Sequence, residues 1–169
     1  GANNTLRRNL LYFNNCNNNS HIVSVENSTG NLMEENELYD MHRGGFLIYQ
    51  SNNNTLRRNY VNSRNRNDSG CGYPSINPNA GDEDYIAYPS SNNIFENNVS
   101  ENSNAAFFSQ STTIRSVGNK FYGNVAIGAK AESFGNSNSG GGALAGQDTV
   151  FENDVSINSG NFGFRPASS

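Results

Sequence analysis

The sequence predicts an all-β chain, a right-handed parallel β-helix of about six coils braced by stacked asparagines. Three observations predict it. Whole words recur along the chain, asparagine makes up about a fifth of its 169 residues, and the apolar residues fall in short, evenly spaced runs rather than helical stripes.

The repeats come first. Thr5-Leu6-Arg7-Arg8-Asn9 returns as Thr55-Leu56-Arg57-Arg58-Asn59, and Val150-Phe151-Glu152-Asn153-Asp154-Val155-Ser156 echoes Ile94-Phe95-Glu96-Asn97-Asn98-Val99-Ser100. The shared template is an apolar residue, Asn three later, and a second apolar residue two beyond. It places Leu6, Met33, Leu56, Ile94, Ser116 and Val150 in one inward column, with Ser116 a break, and Leu11, Leu38, Val61, Val99, Phe121 and Val155 in another. The asparagines of the template are Asn9, Asn36, Asn59, Asn97, Asn119 and Asn153. An Asn side chain both donates and accepts, so a column of them at strand spacing forms an amide ladder, and Asn also tolerates the left-handed backbone of a tight turn.

A further apolar run precedes five of the copies, at Ile22–Val25, Phe46–Tyr49, Tyr85–Tyr88, Ala106–Phe108 and Ala143–Ala145. Each coil then holds about three short strands, stable only when stacked on its neighbours. The whole of 1–169 is expected as one domain, with loop insertions at 65–83 and 125–140 on one side of the stack.

Composition narrows the function. The apolar fraction is low at 34%, yet the aromatics and regular aliphatics argue for a thin-cored β protein rather than disorder. A net charge of −4, with Arg57, Arg58, Arg64 and Arg66 as the only basic cluster, excludes a nucleic-acid partner. No apolar run approaches the roughly 20 residues of a membrane-spanning helix. Cys16 and Cys71 are compatible with one bridge or two separate thiols, and no metal-ligand spacing is present. The Asn-x-Ser/Thr triplets, such as those at Asn3 and Asn53, are about as many as this composition yields by chance.

The coil word Asn53-Asn54-Thr55-Leu56-Arg57-Arg58-Asn59-Tyr60-Val61 resembles the parallel β-helix repeats of the pectate-lyase-like superfamily. Gly141-Gly142-Ala143-Leu144, Phe95-x-x-Asn98 and Phe121-x-x-Asn124 are similar to words of the polymorphic outer-membrane adhesin repeats. The first resemblance implies a first-strand face bordered by loops as the place where substrate would lie; the second implies an extracellular or cell-surface protein. Taking Phe46 and Ile48 as inward puts Tyr49, Tyr85 and Phe107 outward, as a platform for sugar rings or a neighbouring molecule. The candidates for acid–base chemistry are His21, His42, Arg43, Asp82, Glu83 and Asp84, at the entries to first strands. Calcium is the one ion such carboxylates would take, no other cofactor is implied, and a solvated rim is the structural alternative.

The expected function is an extracellular structural or adhesive module, with end-to-end stacking in a filament as one form of it. The chain opens inside a coil at Asn3-Asn4-Thr5, and an open sheet edge there invites self-association. The alternative is the carbohydrate-active part of a polysaccharide lyase or epimerase, for which an acidic polysaccharide would be the partner.

Overall fold

A computed structural model describes residues 1–12, 21–39, 44–63, 83–111, 114–138 and 146–165. The chain winds as triplets of strands. The first is β1 (Thr5–Arg7), β2 (Leu10–Tyr12) and β3 (His21–Glu26), the second β4 (Leu32–Glu34), β5 (Glu37–Tyr39) and β6 (Gly44–Tyr49). The third is β7 (Thr55–Arg57), β8 (Tyr60–Asn62) and β9 (Glu83–Tyr88), the fourth β10 (Ile94–Glu96), β11 (Val99–Glu101) and β12 (Ala105–Ser111). Then come β13 (Lys120–Tyr122), β14 (Val125–Ile127) and β15 (Glu132–Asn138), and finally β16 (Val150–Glu152), β17 (Val155–Ile157) and β18 (Phe162–Arg165).

Equivalent strands pair in parallel to make three six-stranded sheets, so the fold is a parallel β-solenoid. No helix is present among the described residues.

The rung is built from five-residue steps. A residue with left-handed backbone ends each step, and a ladder residue follows it. Asn92, Asn97 and Asn102 have φ of 56°, 54° and 60°, and Asp148, Asn153 and Asn158 have 52°, 56° and 55°. Glycine takes the same role at Gly118, Gly123 and Gly128. At Gly123 an added Cβ would meet Asn97 Oδ1 of the preceding rung at 2.6 Å, so its missing side chain also makes room for that amide.

Two asparagine ladders follow from this step. One runs Asn4, Asn31, Asn54, Asn93, Asn119, with side-chain amides linked at 2.9, 2.8, 3.1 and 3.2 Å. The other runs Asn9, Asn36, Asn59, Asn98, Asn124 and closes on Asp154. Asn9, Asn36 and Asn59 therefore lie in line as expected, and Asn119 belongs to the first ladder. Asn97 and Asn153 are displaced by one residue, to the left-handed positions before Asn98 and Asp154. Serine forms a third ladder, in which the backbone N–H groups of Ser28, Ser51 and Ser90 donate to the hydroxyls of Ser51, Ser90 and Ser116.

The same displacement corrects the core. The first sheet points Leu6, Met33, Leu56, Phe95, Phe121 and Phe151 inward, and the second Leu11, Leu38, Val61, Ser100, Ala126 and Ser156. Ile94, Val99, Val150 and Val155 are thus outward, and Ser116 sits at a corner. Two adjacent apolar residues followed by two adjacent asparagines allow two registers of opposite parity, and the one that buries the larger phenylalanine removes more apolar area from water. Volume is conserved across the rung: where the first sheet supplies a ring, the second supplies only Ser or Ala.

The stretch 125–138, expected as a loop, instead contains β14 and β15. Its buried apolar residues are Ala126, Ala129 and Phe134, a weak apolar signal among Ser, Gly and Asn. Phe134 enters because it continues a column of stacked rings. Residues 64–82, which hold most of the other expected loop, and the run Ala143–Ala145 lie outside the described residues, as do Cys16 and Cys71.

Candidate functional site

The third sheet was the expected working face. Its register runs Val23, Phe46, Tyr85, Phe107, Phe134, Phe164 in one column. This column is interior. Consecutive rings stack at centroid distances of 5.3, 4.6, 5.0 and 4.8 Å, and Tyr85 and Phe107 are fully buried. The expected platform therefore does not exist as drawn: of Tyr49, Tyr85 and Phe107, only Tyr49 faces outward. Phe46 pairs with Tyr85 rather than with its neighbour, so both share one face.

Tyr85 keeps its hydroxyl satisfied inside by donating toward the carbonyls of Asn59 at 3.0 Å and Val99 at 3.1 Å. Burial, with the nearby Asp84 carboxylate adding to it, raises this phenol well above its ordinary pKa.

The outward face has two strips. Leu47, Ile86 and Phe108 align on successive rungs, with Ile86 and Phe108 buried in a small satellite cluster against Ala105 and Tyr88. The Phe108 ring lies over Gly135, where a Cβ would collide with it. Beside this strip Tyr49 meets Tyr88 at 5.8 Å with the rings tilted by 34°, a pair that sequence reading missed because it placed Tyr85 there.

The acid–base candidates disperse. Asp84 is fully buried within the solenoid and accepts from Ser63 Oγ at 2.8 Å and Ser100 Oγ at 2.6 Å. Its expected place on an outer rim is thereby corrected, and the physical reason is that two hydroxyls offer a buried carboxylate what water would. Glu83 is also buried, and its carboxylate accepts from Gln110 Nε2 at 2.8 Å. The His21 ring lies against Gly44, whose added Cβ would meet its Nε2 at 2.9 Å and would collide with the Glu83 carbonyl. His21 and Glu83 therefore share one column with Gly44 between them. His42, Arg43 and Asp82 lie outside the described residues. Among the described residues no three His, Cys, Asp or Glu converge as a metal site.

Among the described residues the densest charge lies on the first sheet, at the repeated words. Glu34 is ion-paired with Arg7 at 3.0 Å, with Arg57 at 2.7 Å and with Arg58, and Glu35 with Arg8 at 2.6 Å and Arg58 at 3.3 Å. The duplicated Arg-Arg thus brackets one Glu-Glu across three rungs. The hydrogen bond from Arg8 holds the Glu35 carboxyl down to about 2.

No helix among the described residues is long and apolar enough to cross a membrane. No family model, curated protein or solved structure matches the chain.

Proposed function

We propose that the chain is an extracellular structural or adhesive solenoid module rather than a glycan-cleaving enzyme. The observation that carries this reading is Asp84. Proton abstraction from a uronate needs a base beside a group that neutralises the carboxylate, and electrostatic stabilisation of that kind is usually the largest catalytic term. Asp84, at the centre of the acidic run, is turned inward and bonded to two serines. The Arg and Glu side chains of the first three rungs likewise neutralise one another.

Kinship with the pectate-lyase-like superfamily is part of this proposal and rests on the Asn53 to Val61 coil word. The extracellular placement rests on the similarity to adhesin repeats. The reading as a carbohydrate-active fragment is favoured by one observation, the outward Tyr49–Tyr88 pair.

The test incubates the protein with alginate, pectate and other acidic glycans, with and without calcium, following the absorbance of unsaturated uronate ends. No turnover is expected. Turnover abolished by Glu83→Ala or His21→Ala would make the lyase or epimerase reading the correct one.

A further inference from the structure

The outward side of the first sheet is described without a break. Residues 3–9, 30–36, 53–59, 92–98, 118–124 and 148–154 carry its six strands and the left-handed turns on both flanks, so no insertion rises beside it. Two columns of side chains point out from it. One runs Thr5, Leu32, Thr55, Ile94, Lys120, Val150, and the other Arg7, Glu34, Arg57, Glu96, Tyr122, Glu152.

Charge on this face is divided by rung. In the first three rungs Arg7, Arg8, Arg57 and Arg58 outnumber Glu34 and Glu35, and all four arginines keep a third or more of their side chains exposed while pairing with those glutamates. That half is positive. In the last three rungs Glu96, Asp148 and Glu152 stand against Lys120 alone, and among the described residues Glu96, Lys120 and Glu152 make no ion pair. That half is negative.

A face divided in this way is complementary to itself turned over. Rotating a second molecule by half a turn about an axis along the strands lays the face on its own copy, each column on itself and the rungs in opposite order. The first rung then meets the sixth, the second the fifth, and the third the fourth. Arg7 falls on Glu152, Arg57 on Glu96 and Glu34 on the Tyr122 hydroxyl, while Thr5 meets Val150, Thr55 meets Ile94 and the Lys120 stem crosses Leu32. No like charges oppose one another along either column. Sheets pack about 10 Å apart, a gap that Arg and Glu side chains span from the two sides.

The geometry points to a two-fold dimer in which the first-sheet face of one molecule packs on the same face of a second copy of this chain. It rests on the structural reading above and names the partner. The pattern of charge, rather than either end of the stack, sets the register, and such complementarity fixes orientation as well as partner. Six strands about 4.8 Å apart and a step about 17 Å wide make a face of roughly 500 Å², or roughly 1,000 Å² for both molecules. That lies at the low end for a specific interface, so the dimer is reversible. Because the contact is isologous it closes on itself and forms nothing larger.

Sedimentation velocity of the wild type in dilute buffer should show monomer passing to dimer as concentration rises. At about 1 M salt, where charges are screened beyond about 3 Å, only monomer should remain. Glu96→Lys with Glu152→Lys should be monomeric in dilute buffer, although the exchange cancels the net charge of −4 and would favour any association limited by general repulsion. Glu26→Lys with Glu37→Lys makes the same change of charge on the other two sheets and should dimerise at least as well as wild type. Should Glu96→Lys fail to fold beside Arg57, Glu152→Lys alone, whose column neighbour is Tyr122, should weaken the dimer about tenfold. A wild type that is monomeric at every concentration, forms species larger than the dimer, or stays dimeric in high salt or with both lysines overturns the pairing. A monomer that instead sediments with alginate gives the face to an acidic glycan and overturns it equally. Turnover in the glycan assay removes the structural reading, whereas an inert monomer removes only the dimer.

Discussion

Asn124 donates from both its backbone N–H, at 2.7 Å, and its side-chain Nδ2, at 2.9 Å, to a single oxygen, Oδ1 of Asp154. Every other described member of that ladder is an amide. Asp154 places its second oxygen, Oδ2, where an amide nitrogen stands in the preceding rungs, and that oxygen is buried without a hydrogen-bond partner. Burial raises the Asp154 pKa despite the hydrogen bonds from Asn124. In Asn124 the equivalent nitrogen donates to the Phe95 carbonyl of the rung before it, at 2.9 Å.

Asp154→Asn should therefore stabilise the fold at neutral pH by about 1 kcal/mol, or roughly 2–4 °C in melting temperature. Because the folded-state pKa is raised above the ordinary 3.8, the aspartate's contribution is fullest below that pH and is lost as pH rises through the raised value. Melting curves of wild type and variant should converge in acid and separate toward neutrality. A constant gap, or a less stable variant, would count against Asp154 as the strained end of the ladder.

The one-residue displacement at the fourth rung gives a paired prediction. Asn98→Ala removes the acceptor for Asn59 and the donor to the Leu56 carbonyl, leaving buried groups unpaired at a cost of about 3 kcal/mol or more. Asn97→Gly keeps the left-handed turn and should stay within about 1 kcal/mol of wild type. Denaturant titration of both variants distinguishes the registers, and the reverse order of stabilities would restore Asn97 to the ladder.

Tyr85→Phe should cost about 1–3 kcal/mol, since the buried Asn59 carbonyl and the half-buried Val99 carbonyl each lose the hydroxyl as a donor while the ring stack is kept. The wild-type phenol, held well above 10, contributes stability below that pH that is lost as pH rises through its folded value. Spectrophotometric titration should leave one tyrosine protonated until the protein unfolds in alkali.

In acid the Arg–Glu cluster dominates the expected response. Glu35 is depressed from 4.5 to about 2, so its pairing with Arg8 is present above 4.5 and fades as pH falls through about 2. Glu35→Gln should flatten the decline in melting temperature over that window. Both side chains are open to solvent, so the effect should shrink with added salt. An unchanged acid limb in the variant would remove Glu35 from the account.

The sequence by itself determined the architecture. Word-for-word repeats separated by turn-forming asparagines admit a laddered parallel stack, because backbone spacing and amide chemistry are local properties repeated in each coil. It also held, unread, the five-residue step that pairs Asn54 with Asn59, Asn93 with Asn98 and Asn119 with Asn124. Parity was left to tertiary structure. Ile94-Phe95 and Asn97-Asn98 fit the template in either of two phases, and only the volume inside the rung, with Ser100 opposite Phe95, selects the phase that buries the ring. The candidate site failed for the same reason. Tyr85, Phe107 and Asp84 have the composition of a working surface, but a shift of one residue turns each strand over, and stacked rings and buried hydroxyls decided which way they point.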